Sequence, residues 1–334
     1  ARAARGLPSR LLLVEEATPS LAAGALASAA HISELISAAA AEAEQADGRV
    51  ESVLIVGGHE IVPFDHAPNP ASADGDATVP GDARYSAREP GALVAEWPVG
   101  RIPGDQGLEA SGALLARLIR LATQQHERGR AADLGKTFGY GAAVWRDTTT
   151  AIYREISHQP PLLSPPQVAV GLDVALLDQA GAVYCNLHGV RGGPSWYGQA
   201  PGADGYLVAL RPQDVLQATL DGALVFSEAC YGAAIDGDER SSLALAFLSR
   251  GAACFVGATA MSYGPASGPL SEADLLAAHF WRAVRQGGTT TGAAFVQARA
   301  ALLRETLAGQ ATLDDDDRKT ALEFVLYGDP TLRV

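Results

Sequence analysis

The chain has 334 residues, enough for one large α/β domain or two smaller ones, and 48% of them are apolar, which supports a sizeable core. Its formal net charge of −13 argues against a nucleic-acid partner, because phosphate binding needs clustered Lys and Arg. No apolar run approaches the roughly 20 residues that span a bilayer, so no membrane partner is expected.

No signal-peptide pattern is visible. The sequence does not begin with Met, so a leader ahead of residue 1, and with it secretion, stays open. Cys185, Cys230 and Cys254 lie in apolar segments without CxxC or Cys/His metal spacing. Such an odd, sparse set fits a reducing, cytoplasmic compartment better than a disulfide scaffold.

In chain order, "RLLLVEE" (10–16) and "VESVLIVGG" (50–58) read as buried strands, with a helix over 20–46 between them. The Pro/Gly/Asp-rich stretch 64–91 is long for a structureless connection, and such loops are usually functional or mobile. "EWPVGRIP" (96–103) reads as a strand, and a helix follows over 106–128. "GKTFGYGAAVW" (135–145) is the next strand, then a helix around 147–158, "PQVAVGLD" and a short helical piece.

The second half is clearer. "GAVYCNLHG" (181–189), "DGALVFSEACYG" (221–232) and "AACFVGATAMSYG" (252–264) read as strands. Helices are expected over 241–251, 271–286 and 289–308, and a turn at Gly328-Asp329-Pro330. Apolar strands alternating with helices predict an α/β fold with a mainly parallel central sheet covered on both faces. In such sheets, sites form at the carboxyl ends of strands.

Three successive strand ends carry distinctive chemistry: "NLHGVRGG" with His188, "FSEACYGAA" with Cys230, and "GATAMSYGP". A thiolate is the nucleophile of cysteine chemistry, and a nearby imidazole can take the thiol proton and later protonate a leaving amine. A glycine directly after the histidine lets the backbone approach a scissile carbonyl. The N–H groups of Gly189 and Cys230 are therefore the expected oxyanion donors. Cys185 and Cys254 sit mid-strand and read as small buried hydrophobes. A lone strand-end histidine is more often structural than catalytic; His-Gly closing one strand and Ala-Cys-Tyr-Gly closing the next is a stronger signal.

"NLHG" followed by "SEACYG" resembles the His-Gly and Ala-Cys pair of the clan of cysteine peptidases that holds caspases, legumains, separases and gingipains. The likeness is greatest to the gingipain-type family, through "VLIVGGHEIVP", "WPVGRIPGD", "GATAMSYGP" and the closing "LYGDPTLRV"; CHAT-type domains are near relatives. The resemblance implies a caspase-like α/β/α sandwich and a cysteine endopeptidase acting on protein or peptide substrates. It carries catalytic roles onto Cys230 and His188, with Gly189 as an oxyanion donor. The chain would divide into an N-terminal caspase-like half, 1–130, and a catalytic half, 131–334. No cofactor or metal is expected, and a regulatory partner protein stays open.

Arginine-specific members of the family pair the substrate's basic group with an acidic side chain. The resemblance thus implies a basic P1, with Asp82, Glu96, Asp236 and Asp238 as the candidate acids, while Arg84, Arg88 and Gly264 weigh toward an apolar pocket or one suited to an acidic P1. Tyr263 and Gly264 are expected to edge the primary pocket. Trp196 either lines the cleft or packs beneath it. His59 reads as a turn residue, and "DDDDR" (314–318) as a solvated acidic turn. Two other functions stay open: a caspase-fold interaction module with little proteolysis, and a dyad hydrolase or acyl transferase acting on a non-peptide ester or amide.

Overall fold

The computed structural model describes residues 9–14, 27–71, 73–107, 110–129 and 133–334. Residues 10–14 are not in a strand, and the remainder of the expected 10–16 strand lies outside the described residues, as does the start of the expected 20–46 helix. In order, the elements are α1 (Ala29–Gln45), β1 (Val53–Val56), β2 (Asp65–Pro68), β3 (Thr78–Gly81), β4 (Val99–Ile102), α2 (Ala113–Arg128), β5 (Thr137–Ala142), α3 (Arg146–Tyr153) and β6 (Leu162–Ser164). They continue with β7 (Ala182–Asn186), β8 (Trp196–Gly198), β9 (Leu207–Leu210), α4 (Pro212–Val215), β10 (Leu224–Ser227), α5 (Leu243–Ser249), β11 (Cys254–Ala258), α6 (Glu272–Gln286), α7 (Thr291–Gln310), α8 (Asp315–Glu323) and β12 (Phe324–Gly328).

Eight strands form one sheet in the order β1-β4-β12-β11-β10-β7-β5-β6. Every pairing is parallel except that of β11 with β12. The last strand thus sits between β11 and β4, and Tyr327 pairs with Arg101 to join strands from the two ends of the chain. The central strands are buried along their whole length, as continuous apolar runs in parallel sheets require.

Alternation sorts their side chains into two cores. Val183, Cys185, Val225 and Phe255 pack with Leu114 and Leu118 of α2 and with α5. Ala182, Tyr184, Phe226 and Val256 pack with Ile152 of α3 and with α6 and α7. This is an α/β/α sandwich. A third cluster, centred on Ile55, Tyr85, Trp97 and Val99, holds α1 against the N-terminal edge of the sheet.

The long polar stretch 64–91 is not structureless. It forms the β2–β3 hairpin and a short 3-10 turn over Ala83–Ser86. Nor is "DDDDR" a solvated turn. Asp314 caps α8, accepting from the Asp317 N–H while the Asp317 carboxylate accepts from the Asp314 N–H, and Asp317 is buried. This is a reciprocal capping box, with acids favoured in the first turn by the helix dipole. No helix among the described residues is long and apolar enough to cross a membrane.

Candidate active site

Strands β7 and β10 are adjacent and parallel, and Cys185 pairs with Ser227. His188 and Cys230 each lie three residues beyond that pair, so parallel register carries both to the same edge of the sheet. The backbones there are in close contact. A Cβ on Gly189 would sit 1.9 Å from the Cys230 carbonyl oxygen and 3.2 Å from the Cys230 nitrogen, so any side chain at 189 would force the two strand ends apart. The Gly189 N–H has no backbone acceptor among the described residues.

His188 is fixed on three sides. Its backbone exchanges two 2.8 Å hydrogen bonds with Tyr197 of β8. Its ring lies between Trp145, centroids 4.1 Å apart, and Tyr206, centroids 4.6 Å apart. Its Nε2 is 2.9 Å from Gln199 Oε1. Burial pulls the imidazole pKa below its ordinary value, and the Gln199 contact partly opposes that.

Cys230 is half-buried. Its Sγ receives the Ser262 N–H at 3.4 Å and lies 3.4 Å from the Ser262 carbonyl oxygen. Burial raises the thiol pKa, while the Ser262 N–H acts in the other direction. Tyr231, the next residue, has φ +56°, an uncommon value for a bulky side chain and one that turns the chain sharply out of the strand end.

A small cleft, open to solvent, adjoins the sulfur. Its lining includes Trp145, Cys230, Tyr263, Gly264, Glu228 and Asp274. The last two are a buried carboxyl pair. Tyr184 donates to Glu228 Oε1 at 2.7 Å, and Asn186 reaches Asp274 Oδ1 at 3.4 Å, but Asp274 Oδ2 is buried with no partner among the described residues. Burial, then the neighbouring Asp274, holds Glu228 well above the usual carboxylate range; burial pushes Asp274 up to about 6. Glu228 is raised further than Asp274, so at neutral pH the negative charge of the pair falls on Asp274. Gly264 keeps that charge uncovered, since a Cβ there would lie 3.5 Å from the Asp274 carboxyl carbon.

Tyr263 and Gly264 thus line the cleft. The other carboxylates suggested by sequence lie elsewhere. Asp82 holds Arg101 with two hydrogen bonds, 2.9 and 2.5 Å, in the N-terminal core. Glu96 pairs with Arg88, and Asp236 is exposed on the loop after Cys230. Asp238 is tied to Ser241 and Arg240. Trp196 is buried against Phe247 and Phe255, beneath the site. His59 stacks on Phe64.

Trp145, Gln199, Glu228 and Asp274 escape a reading by strand ends alone. Glu228, two residues before Cys230, carries a signal, because a charged residue closing an apolar strand is unexpected unless it faces a site. Asp274 looks like an ordinary acid in the first turn of a helix. Among the described residues no group of three His, Cys, Asp or Glu side chains is arranged to hold a metal.

Residues 181–334, which carry β7, β10, β11, His188 and Cys230, match the model of peptidase family C25. No curated protein matches the sequence. The Arg-specific cysteine proteinase gingipain R is similar in structure, with a TM-score of 0.64 and 15% identity over 100% of this chain and 73% of that one. A chain from the complex of the Porphyromonas gingivalis RgpB pro- and mature domains gives a TM-score of 0.64 at 14% identity, covering 100% of this chain and 75% of that one. At such identities the likeness bears on the fold, which is gingipain-like and caspase-like.

Proposed function

We propose that this chain, whose residues 181–334 match the model of peptidase family C25, is a cysteine endopeptidase in which Cys230 is the nucleophile and His188 the general base, with a preference for a basic residue at P1. The observation that carries the dyad is the register of β7 and β10, which brings both side chains to one sheet edge.

Gln199 donates through Nε2 to the Ala203 carbonyl at 2.6 Å, so its Oε1 is the atom turned toward His188. An amide oxygen only accepts, so His188 carries its proton on Nε2 and leaves Nδ1 basic. Nδ1 takes the Cys230 proton as Sγ attacks the scissile carbonyl carbon. The C=O electron pair moves to oxygen, and the Gly189 and Cys230 N–H groups receive the oxyanion. The intermediate collapses, the C–N bond breaks, and the imidazolium gives its proton to the leaving amine. Water, activated by the same nitrogen, then cleaves the thioester and releases the acid and free thiol.

The P1 reading rests on Asp274. A buried carboxylate oxygen without a donor is costly, and a guanidinium or ammonium entering the cleft supplies the missing donor and the opposite charge. Gingipain R, similar in fold, is an Arg-specific cysteine proteinase, which agrees with it. Cleavage of matched fluorogenic peptides with Arg, Lys, Leu or Asp at P1 tests both levels. Preference for Leu or Asp removes the basic pocket. No cleavage of any peptide, with a soluble folded protein, returns the chain to an interaction module or to non-peptide substrates.

A further inference from the structure

The β2–β3 hairpin comes from the N-terminal part of the chain, yet the turn between its strands carries two aspartates into the loops around Cys230. Asp76 is nearly inaccessible. Its Oδ1 accepts from the Tyr231 hydroxyl at 2.9 Å and from Arg191; its Oδ2 accepts from the Met261 N–H at 2.9 Å and from Lys319 Nζ at 3.4 Å. Asp74 accepts from the Tyr263 hydroxyl at 2.9 Å and from Lys319, and its Oδ1 accepts from the Asp76 N–H at 2.8 Å. Lys319 of α8 is fully buried and reaches both carboxylates.

Each partner sits next to a working part of the site. Tyr231 follows the nucleophile and holds its uncommon positive φ. Arg191 lies on the loop that leaves His188, with its guanidinium 5.2 Å from the centre of the Tyr231 ring. Met261 and Tyr263 flank Ser262, whose N–H and carbonyl bracket the sulfur. One carboxylate therefore ties the nucleophile turn, the histidine loop and the sulfur-bracketing loop to a fixed point.

We infer that Asp76, supported by Asp74 and Lys319, is a positioning residue for this peptidase: it sets the orientation of the Cys230 turn relative to the His188 loop, so that the N-terminal hairpin governs the chemistry of a dyad it does not contribute to. This rests on the Cys230–His188 reading above. Charge-assisted hydrogen bonds from a guanidinium, an ammonium and a backbone N–H to one buried carboxylate are strong and directional. Without them the strained Tyr231 backbone is held only by its backbone hydrogen bonds to the Ala260 carbonyl and from the Ala234 N–H, and the turn relaxes.

The test is Asp76→Ala, with Asp76→Asn and Tyr231→Phe beside it. For Asp76→Ala, kcat on the preferred peptide is expected to fall about 10²-fold with KM moving less than about threefold, the pattern of misplacement rather than lost substrate contacts. Amide exchange is expected to speed up at residues 230–232 and 261–263 and stay unchanged in β7 and β10. Iodoacetamide is expected to alkylate Cys230 more slowly, in step with cleavage, because the thiol loses its placed base; general destabilisation, which exposes a half-buried thiol, would speed alkylation instead. Asp76→Asn keeps an accepting oxygen but loses the charge, and is expected to fall between wild type and Asp76→Ala. If Asp76→Ala does not fold, the cycle of Asp76→Asn with Tyr231→Phe decides: a double variant no worse than the poorer single supports the coupling, and additive losses overturn it. A folded Asp76→Ala protein with kcat within about threefold of wild type and unchanged exchange overturns it outright. If wild type cleaves no peptide, the endopeptidase reading fails separately, and exchange at 230–232 and 261–263 still decides the hairpin's role.

Discussion

Gln199 decides which nitrogen of His188 is basic. Its amide is oriented by the 2.6 Å hydrogen bond from Nε2 to the Ala203 carbonyl, and this turns Oε1 to within 2.9 Å of His188 Nε2. The ring is also clamped between Trp145 and Tyr206, so neither tautomer nor rotation is left to chance.

The pH profile should report this contact. The base must be neutral, so kcat/KM falls as pH drops through the His188 pKa, which burial holds below its ordinary value. Gln199→Glu puts a negative charge beside the Nε2 proton, raises that pKa and moves the acidic limb to higher pH. Gln199→Ala removes a contact that raises the pKa, so the limb moves to lower pH while kcat falls about tenfold to 10²-fold through loss of orientation. An acidic limb at the same pH in all three proteins contradicts the assignment.

The cleft carboxylates should act on specificity and stability with opposite signs. Asp274→Asn is expected to cut kcat/KM for Arg and Lys peptides by about 10²-fold and for Leu peptides much less. The folded-state pKa of Asp274 is raised to about 6, so its protonation stabilises the fold at low pH, and that contribution is lost as pH rises from about 4 through 6. Replacing the buried charge by a neutral isostere should therefore raise Tm by a few degrees at pH 7 and leave it unchanged at pH 4. A constant difference in Tm between the two pH values refutes the linkage.

Asp82 offers the contrast. It is buried with Arg101, whose Nη1 also reaches the Gly57 and Val62 carbonyls and whose guanidinium lies 4.7 Å from the centre of the Phe64 ring. Asp82→Ala leaves that cation unpaired in a core and should cost about 3–5 kcal/mol in urea unfolding. The P1 preference of the remaining folded protein should not change. A switch in P1 preference would return Asp82 to the pocket.

The other cysteines should behave as packing. Cys185 and Cys254 are inaccessible, and burial pushes the Cys254 thiol up to about 12 and the Cys185 thiol further. Their alanine variants are expected to stay active and lose about 1 kcal/mol each. Loss of activity in either, at full folding, would count against a single nucleophile.

The parts of the molecule legible in the sequence are those where one local pattern decides the outcome. β7, β10 and β11 are apolar on both faces, so their runs announce buried parallel strands, and the chemistry at their ends follows from the rule for such sheets. The β2–β3 hairpin has no such pattern: β2 reads Asp-His-Ala-Pro, and the turn that follows it is held by a distant partner, Lys319, on Asp74 and Asp76. The acids at 314–317 read as solvent-facing, and only tertiary packing shows that they start a helix whose Lys319 is buried. Asp274 could not be found at all from its neighbours in sequence, because its role depends on Gly264 and Glu228 arriving from two other strand ends.

The dyad is tested most directly by labelling with a peptidyl acyloxymethyl ketone carrying Arg at P1 and mapping the adduct by mass spectrometry, for wild type and His188→Ala. Wild type should form one thioether, on Cys230, and His188→Ala should react at least about 10²-fold more slowly while remaining folded. An adduct on Cys185 or Cys254, no adduct, or an unchanged rate in His188→Ala would contradict a Cys230–His188 peptidase.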